Sequence, residues 1–260
     1  MRTVGIIQAR MNSTRLPGKV LYELAGFPMI AFMMSRVRRA AEIDDVVLAT
    51  GTGAENDALD AIATRLGVQV FRGSEDDVLS RYLGAAEASE ADVVVRLTGD
   101  CPLVDPGVIS TVVKHRAEHS LDYCCNVKPP SWPDGLDVSV FTFQTLALAA
   151  KEARLRSERE HVVPWMWKES SLENSERLEA DNVPAPYDMS ASRWTVDDAR
   201  DYIMLRTLAD IMGNDRLLNA GWSEIMDCTD AHPEIAELNA GIERDEGFAR
   251  SRAADQAEGK

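Results

Sequence analysis

The chain has 260 residues, enough for one large α/β domain or two small ones. Its 28 Lys and Arg face 43 Asp and Glu, a formal charge of −15 that argues against a basic nucleic-acid-binding or anionic-membrane-binding surface. No apolar run reaches the length of a membrane span, and residues 1–7 read as the start of a strand rather than a leader. The four cysteines, Cys101, Cys124, Cys125 and Cys228, match no zinc spacing, so reduced thiols in a cytoplasmic protein are expected.

Residues 4–7 read as a buried strand and residues 28–40 as a helix whose apolar positions include Ile30, Met33, Met34 and Val37. The alternation continues with a strand at 46–49, a helix at 55–66, a strand at 68–71, a helix at 76–90, a strand at 93–97 and a helix at 106–119. Strands separated by helices of this length predict a parallel α/β sheet with right-handed crossovers. The run Val93-Val94-Val95 suits a strand covered on both faces. Beyond Leu121 the pattern changes: a Pro- and Gly-rich loop at 127–136, a strand at 138–142, and helices at 157–168 and 198–212. The expected organisation is one domain over residues 1–250, with an inserted arm near 123–145 and a disordered tail at 251–260.

After the first strand comes Gln8-Ala9-Arg10-Met11-Asn12-Ser13-Thr14-Arg15-Leu16-Pro17-Gly18-Lys19. Ligands of open α/β sheets sit beyond the carboxyl ends of strands, where this segment falls. Arg10, Arg15 and Lys19 stand out in an acidic chain, Ser13 and Thr14 add hydroxyls, and Gly18 permits a close turn. Such a set suits a triphosphate and a departing pyrophosphate. The plainer alternative is a solvated basic loop paired with nearby acids. A Walker loop is excluded, because Ser13 and Val20 stand where Gly and Ser or Thr are required.

Asp100, in Arg96-Leu97-Thr98-Gly99-Asp100-Cys101-Pro102-Leu103, follows the fourth strand, and Asp197, in Trp194-Thr195-Val196-Asp197-Asp198, follows a second strand-like run. Two carboxylates converging from separate strand ends can hold Mg²⁺ against phosphate oxygens. Each could instead cap a helix, a role that suits Asp198 better than Asp197. Glu75-Asp76-Asp77 reads as a helix start, and Gly51-Thr52-Gly53 as a tight turn rather than a dinucleotide fingerprint.

Together these segments resemble the cytidylyltransferase family, which includes CMP-Kdo synthetase, acylneuraminate cytidylyltransferase and, most similar, the spore-coat polysaccharide biosynthesis protein F group. The resemblance also takes in Leu48-Ala49-Thr50, Phe71-Arg72-Gly73-Ser74-Glu75-Asp76-Asp77-Val78-Leu79, Pro133-Asp134-Gly135-Leu136-Asp137-Val138, Arg159-Glu160-His161-Val162 and Thr195-Val196-Asp197, and extends to the tail from Leu238-Asn239 through Arg244-Asp245-Glu246-Gly247-Phe248, to which it gives no site role. It implies a Rossmann-like nucleotide-diphospho-sugar transferase fold, a mixed, mostly parallel sheet with helices on both faces. It implies transfer of CMP from CTP to a sugar acid or related anionic acceptor, with release of pyrophosphate, for cell-surface polysaccharide synthesis by a homodimer.

By this resemblance Arg10, Arg15 and Lys19 bind the triphosphate, with Ser13 in the same loop. Asp100 and Asp197 bind Mg²⁺, and Ala9, Thr50 and Gly73 lie near base and ribose. Lys19, Arg15 and Asp100 are the expected catalytic groups. Asp134, Asp137, Arg159 and His161 face the acceptor or a dimer partner. The chain departs from the family pattern at Ser139, where an acid is common, and after Asp197, where Asp201 is the remaining candidate for a further acidic helper. Rival readings are a nucleotidyltransferase using another base and a sugar 1-phosphate, a glycosyltransferase, and a non-catalytic sugar- or nucleotide-binding subunit.

Overall fold

The computed structural model describes residues 1–258 of the chain. In chain order the elements are β1 (Thr3–Gln8), β2 (Glu23–Leu24), β3 (Phe27–Pro28), α1 (Met29–Val37), β4 (Asp45–Gly51), α2 (Asp57–Arg65), β5 (Gln69–Gly73), α3 (Val78–Ala88), β6 (Val93–Thr98) and α4 (Pro106–Glu118). There follow β7 (Tyr123–Cys125), β8 (Ser139–Thr142), α5 (Phe143–Glu152), α6 (Arg156–His161), α7 (Pro164–Lys168), β9 (Ala180–Asn182), α8 (Ala199–Met212), α9 (Asn214–Asn219), α10 (Trp222–Ala231), α11 (Pro233–Glu237) and α12 (Glu246–Glu258).

The main sheet has seven strands in the order β5-β4-β1-β6-β8-β7-β9. β5, β4, β1 and β6 are mutually parallel, as the alternating pattern predicts. β8 turns antiparallel to both β6 and β7, and β9 runs parallel to β7. After β1 the chain adds strands on one side, through β4 to β5, and then crosses to β6 on the other. That reversal opens a crevice between β1 and β6 at their carboxyl ends.

The period of two along each strand divides the core. Ile7, Leu48, Val95 and Leu97 pack beneath α1, α2, α4 and α8, while Ile6, Val47, Val94 and Phe141 pack beneath α3, α5 and α7. Helix starts follow side-chain chemistry: Asp77, Asp105 and Thr142 cap α3, α4 and α5 by accepting the amides of Ser80, Val108 and Thr145.

Several segments differ from the expectation. Residues 123–145, expected as an inserted arm, fold back at both ends into the sheet as β7 and β8, leaving 126–138 as the loop between them. The helix expected at 157–168 is two helices: Val162 takes a φ of 71°, and Pro164 opens α7. The Pro164 ring would collide with the carbonyl of Glu160 in a continuous helix. Residues 251–258, expected in a disordered tail, continue α12, where Ser251 donates to Glu160 and Asp255 accepts the Ser157 amide. Residues 259 and 260 of that tail lie outside the described residues.

Arg36 of α1 is wholly buried and ties the halves of the first layer together. It donates to the carbonyls of Leu103 and Val104 after β6 and to those of Leu217 and Leu218 in α9. Arg36→Met would fill much of the space but strand those carbonyls, and each loss costs about 1–3 kcal/mol. Urea unfolding of that variant is expected to show a stability loss of at least about 3 kcal/mol, far more than for exposed Arg65→Met.

Candidate active site

The loop after β1 is pinned at the crevice by backbone contacts. Ala9 donates its amide to Ala49, Met11 donates to the Asn56 side chain, and Gly18, at φ 70°, donates back to Met11. Gly18 then leads into a short 3-10 turn that starts with Lys19. Across the crevice, a Cβ on Gly99 would lie 2.9 Å from the Gln8 carbonyl and 2.8 Å from Ala9 Cβ. Only glycine lets the loop carrying Asp100 come so close.

Lys19 is 7% exposed, and its ammonium lies 2.7 Å from Asp197 Oδ1, 3.3 Å from Asp100 Oδ2 and 2.6 Å from the Val196 carbonyl. Burial alone would lower the Lys19 pKa, but Asp100 and Asp197 outweigh it and hold it above its ordinary value. Burial likewise pushes Asp100 up, yet Lys19 and hydrogen bonds from Thr98 and the backbone bring it down to about 2. The ammonium and the carboxylate therefore both stay charged at neutral pH. Arg15 bridges Asp197 at 2.8 Å and Glu246 at 2.7 Å.

Asp197 is held from behind. Asp201, fully buried, accepts the amides of Asp197 and Asp198 at 2.9 Å each, a bidentate pair from Arg193 at 2.9 and 3.0 Å, and the Asn239 amide. All of its acceptor capacity is used, so it positions Asp197 rather than serving as a free acidic helper. Arg193 also donates to Asp134 at 2.5 Å. Asp198 caps α8, the role its position suggests. The two loops meet tightly at Gly135, φ 112°, where a Cβ would lie 2.6 Å from the backbone of Trp194 and Thr195.

A divalent cation fits this geometry. Asp100 and Asp197 come from separate elements onto one point, the Lys19 ammonium, and a pair of converging carboxylates is the oxygen donor set that suits Mg²⁺. Among the described residues there is no cluster of three or more His, Cys, Asp or Glu able to hold a metal. The chain supplies a pair of carboxylates and not a closed cage.

The other expected residues divide into two groups. Arg10, 4.0 Å from Glu75, lies at the same sheet edge, as do buried Ala9 and Thr50 and, paired with Gly51, Gly73. The Ser13 hydroxyl accepts the Leu16 amide within the loop. Asp134 joins the network through Arg193, and Asp137 pairs with Arg244 at 2.6 Å. Burial, with the nearby Asp137 charge, pushes the Asp134 carboxyl up. Arg159 is not in this cluster: it holds Asp77, at the start of α3, and the carbonyls of Ala150 and Ala153. His161 faces Ser251 and the edge of Phe248, and burial lowers its pKa.

Sequence reasoning missed Arg193, Arg244 and Glu246, which join the acids and cations to one another. For Arg193 there was a signal, a lone cation in Arg193-Trp194-Thr195-Val196 just before Asp197. Apart from Thr50, expected near base and ribose, it gave no site role to a further set of buried atoms. Among the described residues, the buried side-chain atoms without a hydrogen-bond partner are Gln8 Oε1, Thr50 Oγ1, Glu75 Oε1, Arg81 Nε, Arg96 Nε and Glu42 Oε2. All but the last belong to the carboxyl-end half of the sheet or the loop and helix beside it. Buried polar atoms in folded proteins are nearly always paired, by protein or by water, so the carboxyl end of the sheet keeps an unusual reserve of hydrogen-bonding capacity.

A parallel half-sheet with cations and paired carboxylates at its switch point defines a nucleotide-handling α/β enzyme. The family model for cytidylyltransferases matches residues 4–212, and the chain belongs to that family of nucleotidyltransferases. The spore coat polysaccharide biosynthesis protein SpsF of Bacillus subtilis is 32% identical over 236 residues, covering 89% of this chain and 95% of the relative. The 3-deoxy-manno-octulosonate cytidylyltransferase of Geobacter metallireducens is 32% identical over 113 residues, 44% of each chain. Among solved structures, a cytidylyltransferase from Leptospira borgpetersenii superposes with a TM-score of 0.85 at 31% identity, covering 94% of this chain and all of that one. A CMP-2-keto-3-deoxy-manno-octonic acid synthetase complexed with CTP shares the fold, with a TM-score of 0.60 at 18% identity, covering 81% of this chain and 99% of that one.

Two outcomes are expected from the network. Asp201→Asn leaves Arg193 short of a counter-charge and should lower stability by about 3–5 kcal/mol in denaturant titration. Asp100 titrates near 2 when folded against an ordinary 3.8, so its stabilising contribution is complete above the ordinary value and lost as pH falls toward 2. Acid unfolding of Asp100→Asn should accordingly depend less steeply on pH in that window than the wild type does.

Proposed function

We propose that the protein transfers CMP from CTP to a sugar acid or related anionic acceptor, releasing pyrophosphate, in the synthesis of a cell-surface polysaccharide. The observation that carries this reading is the convergence of Lys19 and Arg15 with Asp100 and Asp197 at the β1/β6 crevice. Support comes also from the relatives' names, one a spore coat polysaccharide protein and one a cytidylyltransferase for 3-deoxy-manno-octulosonate.

In the reaction an acceptor hydroxyl oxygen bonds to the α-phosphorus of CTP while the bond from that phosphorus to the bridging oxygen breaks. The hydroxyl proton goes to solvent or base, and pyrophosphate leaves. Lys19 and Arg15, now balanced by carboxylates, exchange those partners for phosphate oxygens and offset the charge that builds on the leaving group. Asp100 and Asp197 would hold Mg²⁺, which when bound neutralises phosphate charge and fixes the α-phosphate for in-line attack. The loop pinned by Gly18 and Gly99 keeps these groups in place before substrate arrives, so that little reorganisation remains at the reacting centre.

The test is a pyrophosphate-release screen of CTP, UTP, ATP and GTP against sugar acids, sugar phosphates and phosphonates, with and without Mg²⁺. Release with CTP and an acid, dependent on Mg²⁺, is expected. Preference for another nucleotide with a sugar 1-phosphate, or consumption of a nucleotide-sugar without pyrophosphate, overturns the reading. Asp100→Asn and Asp197→Asn should each lower kcat by about 100-fold or more while changing CTP affinity less. Lys19→Ala should weaken CTP binding by about 10-fold or more, since it removes a buried charge-assisted contact.

A further inference from the structure

Along β6 the side chains alternate: Val93, Val95 and Leu97 enter the core under α1 and α4, and Val94 enters the core on the other face. Arg96 therefore emerges on that second face, two residues, or about 7 Å of strand, before Thr98. It is half-buried, and in the antiparallel ladder it lies opposite Ser139. Most of the polar groups around it are satisfied by one another, though Gln8 on the same face of β1 also keeps an unpaired Oε1. The Ser139 hydroxyl is bonded to Tyr123 at 3.0 Å, and Tyr123 accepts from Trp167 at 2.8 Å. The Tyr82 hydroxyl bonds the Ile6 and Leu97 carbonyls. Asp137, whose carboxyl feels the Arg96 charge, is paired instead with Arg244.

Arg96 differs from the cations of the loop after β1. Arg10, Arg15 and Lys19 each face a carboxylate, whereas the buried Nε of Arg96 has no partner. His161, on which the Arg96 charge acts, touches the last helix. In α12, Ser251 bonds Glu160 and His161, and Phe248 packs edge-on against both His161 and Trp167. A guanidinium held by a strand in a sheltered position, with its Nε unpaired and no carboxylate bonded to it, keeps N–H groups for an incoming acceptor. Its planar fork of N–H groups matches an oxyanion in bidentate fashion.

We propose that Arg96 anchors the acceptor's anionic group, a carboxylate or phosphate, beside Ser139 and His161, and so selects an acidic acceptor over a neutral sugar. The proposal rests on the CMP-transfer reading above and assigns the charge that this reading requires of the acceptor to one side chain. It also accounts for Ser139: an acid at that ladder position would face Arg96 and compete for it, whereas a serine bonded to Tyr123 leaves the guanidinium free. Arg159, paired with Asp77, is not available for the task.

The experiment loads the full-length protein with Mg²⁺ and a CTP analogue whose α–β bridging oxygen is a methylene. Calorimetry then titrates a 3-deoxy-octulosonic acid, a nonulosonic acid, a hexose 1-phosphate and a neutral hexose. At least one acid or phosphate should bind the wild type and the neutral hexose should not, and the arm that binds distinguishes carboxylate from phosphate. Arg96→Gln should weaken that ligand by about 10-fold or more, and Arg96→Lys by less, with analogue affinity unchanged within about twofold in both variants. Unchanged analogue affinity shows that the variants are folded with an intact nucleotide site. Equal binding of the acid to Arg96→Gln and wild type overturns the anchor, as does wild-type binding of the neutral hexose alone or of none of the four. Failure of the analogue itself to bind the wild type is a different result, and it brings down the CMP-transfer reading from which this inference starts.

Discussion

The site depends on a buried ammonium that two aspartates keep charged. Lys19 sits in the crevice between β1 and β6, with Asp100 and Asp197 on either side. Removing a lysine from water costs several kcal/mol, and only close, well-placed carboxylates make its charge tenable. Those carboxylates need fixed backbones in turn. Gly99 draws the Asp100 loop against β1, and Asp201 holds the Asp197 loop by two amides. The chain thus assembles a cation and two anions at one point from three separate stretches of sequence, and that arrangement can exchange its internal partners for phosphate and metal.

The two faces of the sheet carry different kinds of charge. Around Lys19 and Arg193, cations and carboxylates satisfy one another, from Asp100 through Asp197 and Asp201 to Asp134. On the other face, Gln8, Glu75, Arg81 and Arg96 each keep a buried atom without a partner. The first set can bind by exchanging salt bridges, at small net cost in charge. The second set leaves hydrogen-bonding capacity unused. A nucleotide's phosphates suit the former and the uncharged hydrogen-bonding edge of a small molecule, with one anion for Arg96, suits the latter.

Much of this was legible in the residues. Apolar runs such as Val93-Val94-Val95, separated by amphipathic helices, announce the parallel strands, and Arg10, Arg15 and Lys19 in an acidic chain announce the anion loop. Asp100 and Asp197 follow strand-like runs and do meet. What escaped has physical causes. β7 and β9 are three residues each and exist by pairing with β8 and with one another, so they carry little periodicity of their own. The break at Val162 is a matter of backbone geometry that an Arg159-Glu160-His161-Val162 string does not display. Arg159 and Arg96 look alike in sequence, both single arginines in family motifs. Only the fold shows that one is spent on Asp77 and the other has nothing to hold. Glu246 lies 231 positions from Arg15, beyond any local pattern.

That distant contact gives the last helix a voice in the cleft. Arg15 divides its fork between Asp197 and Glu246, the first residue of α12. An anion that took both arms of Arg15 would displace Glu246, and two positions on from it Phe248 lies edge-on against Trp167, so the loop after β1 and the last helix share one set of contacts.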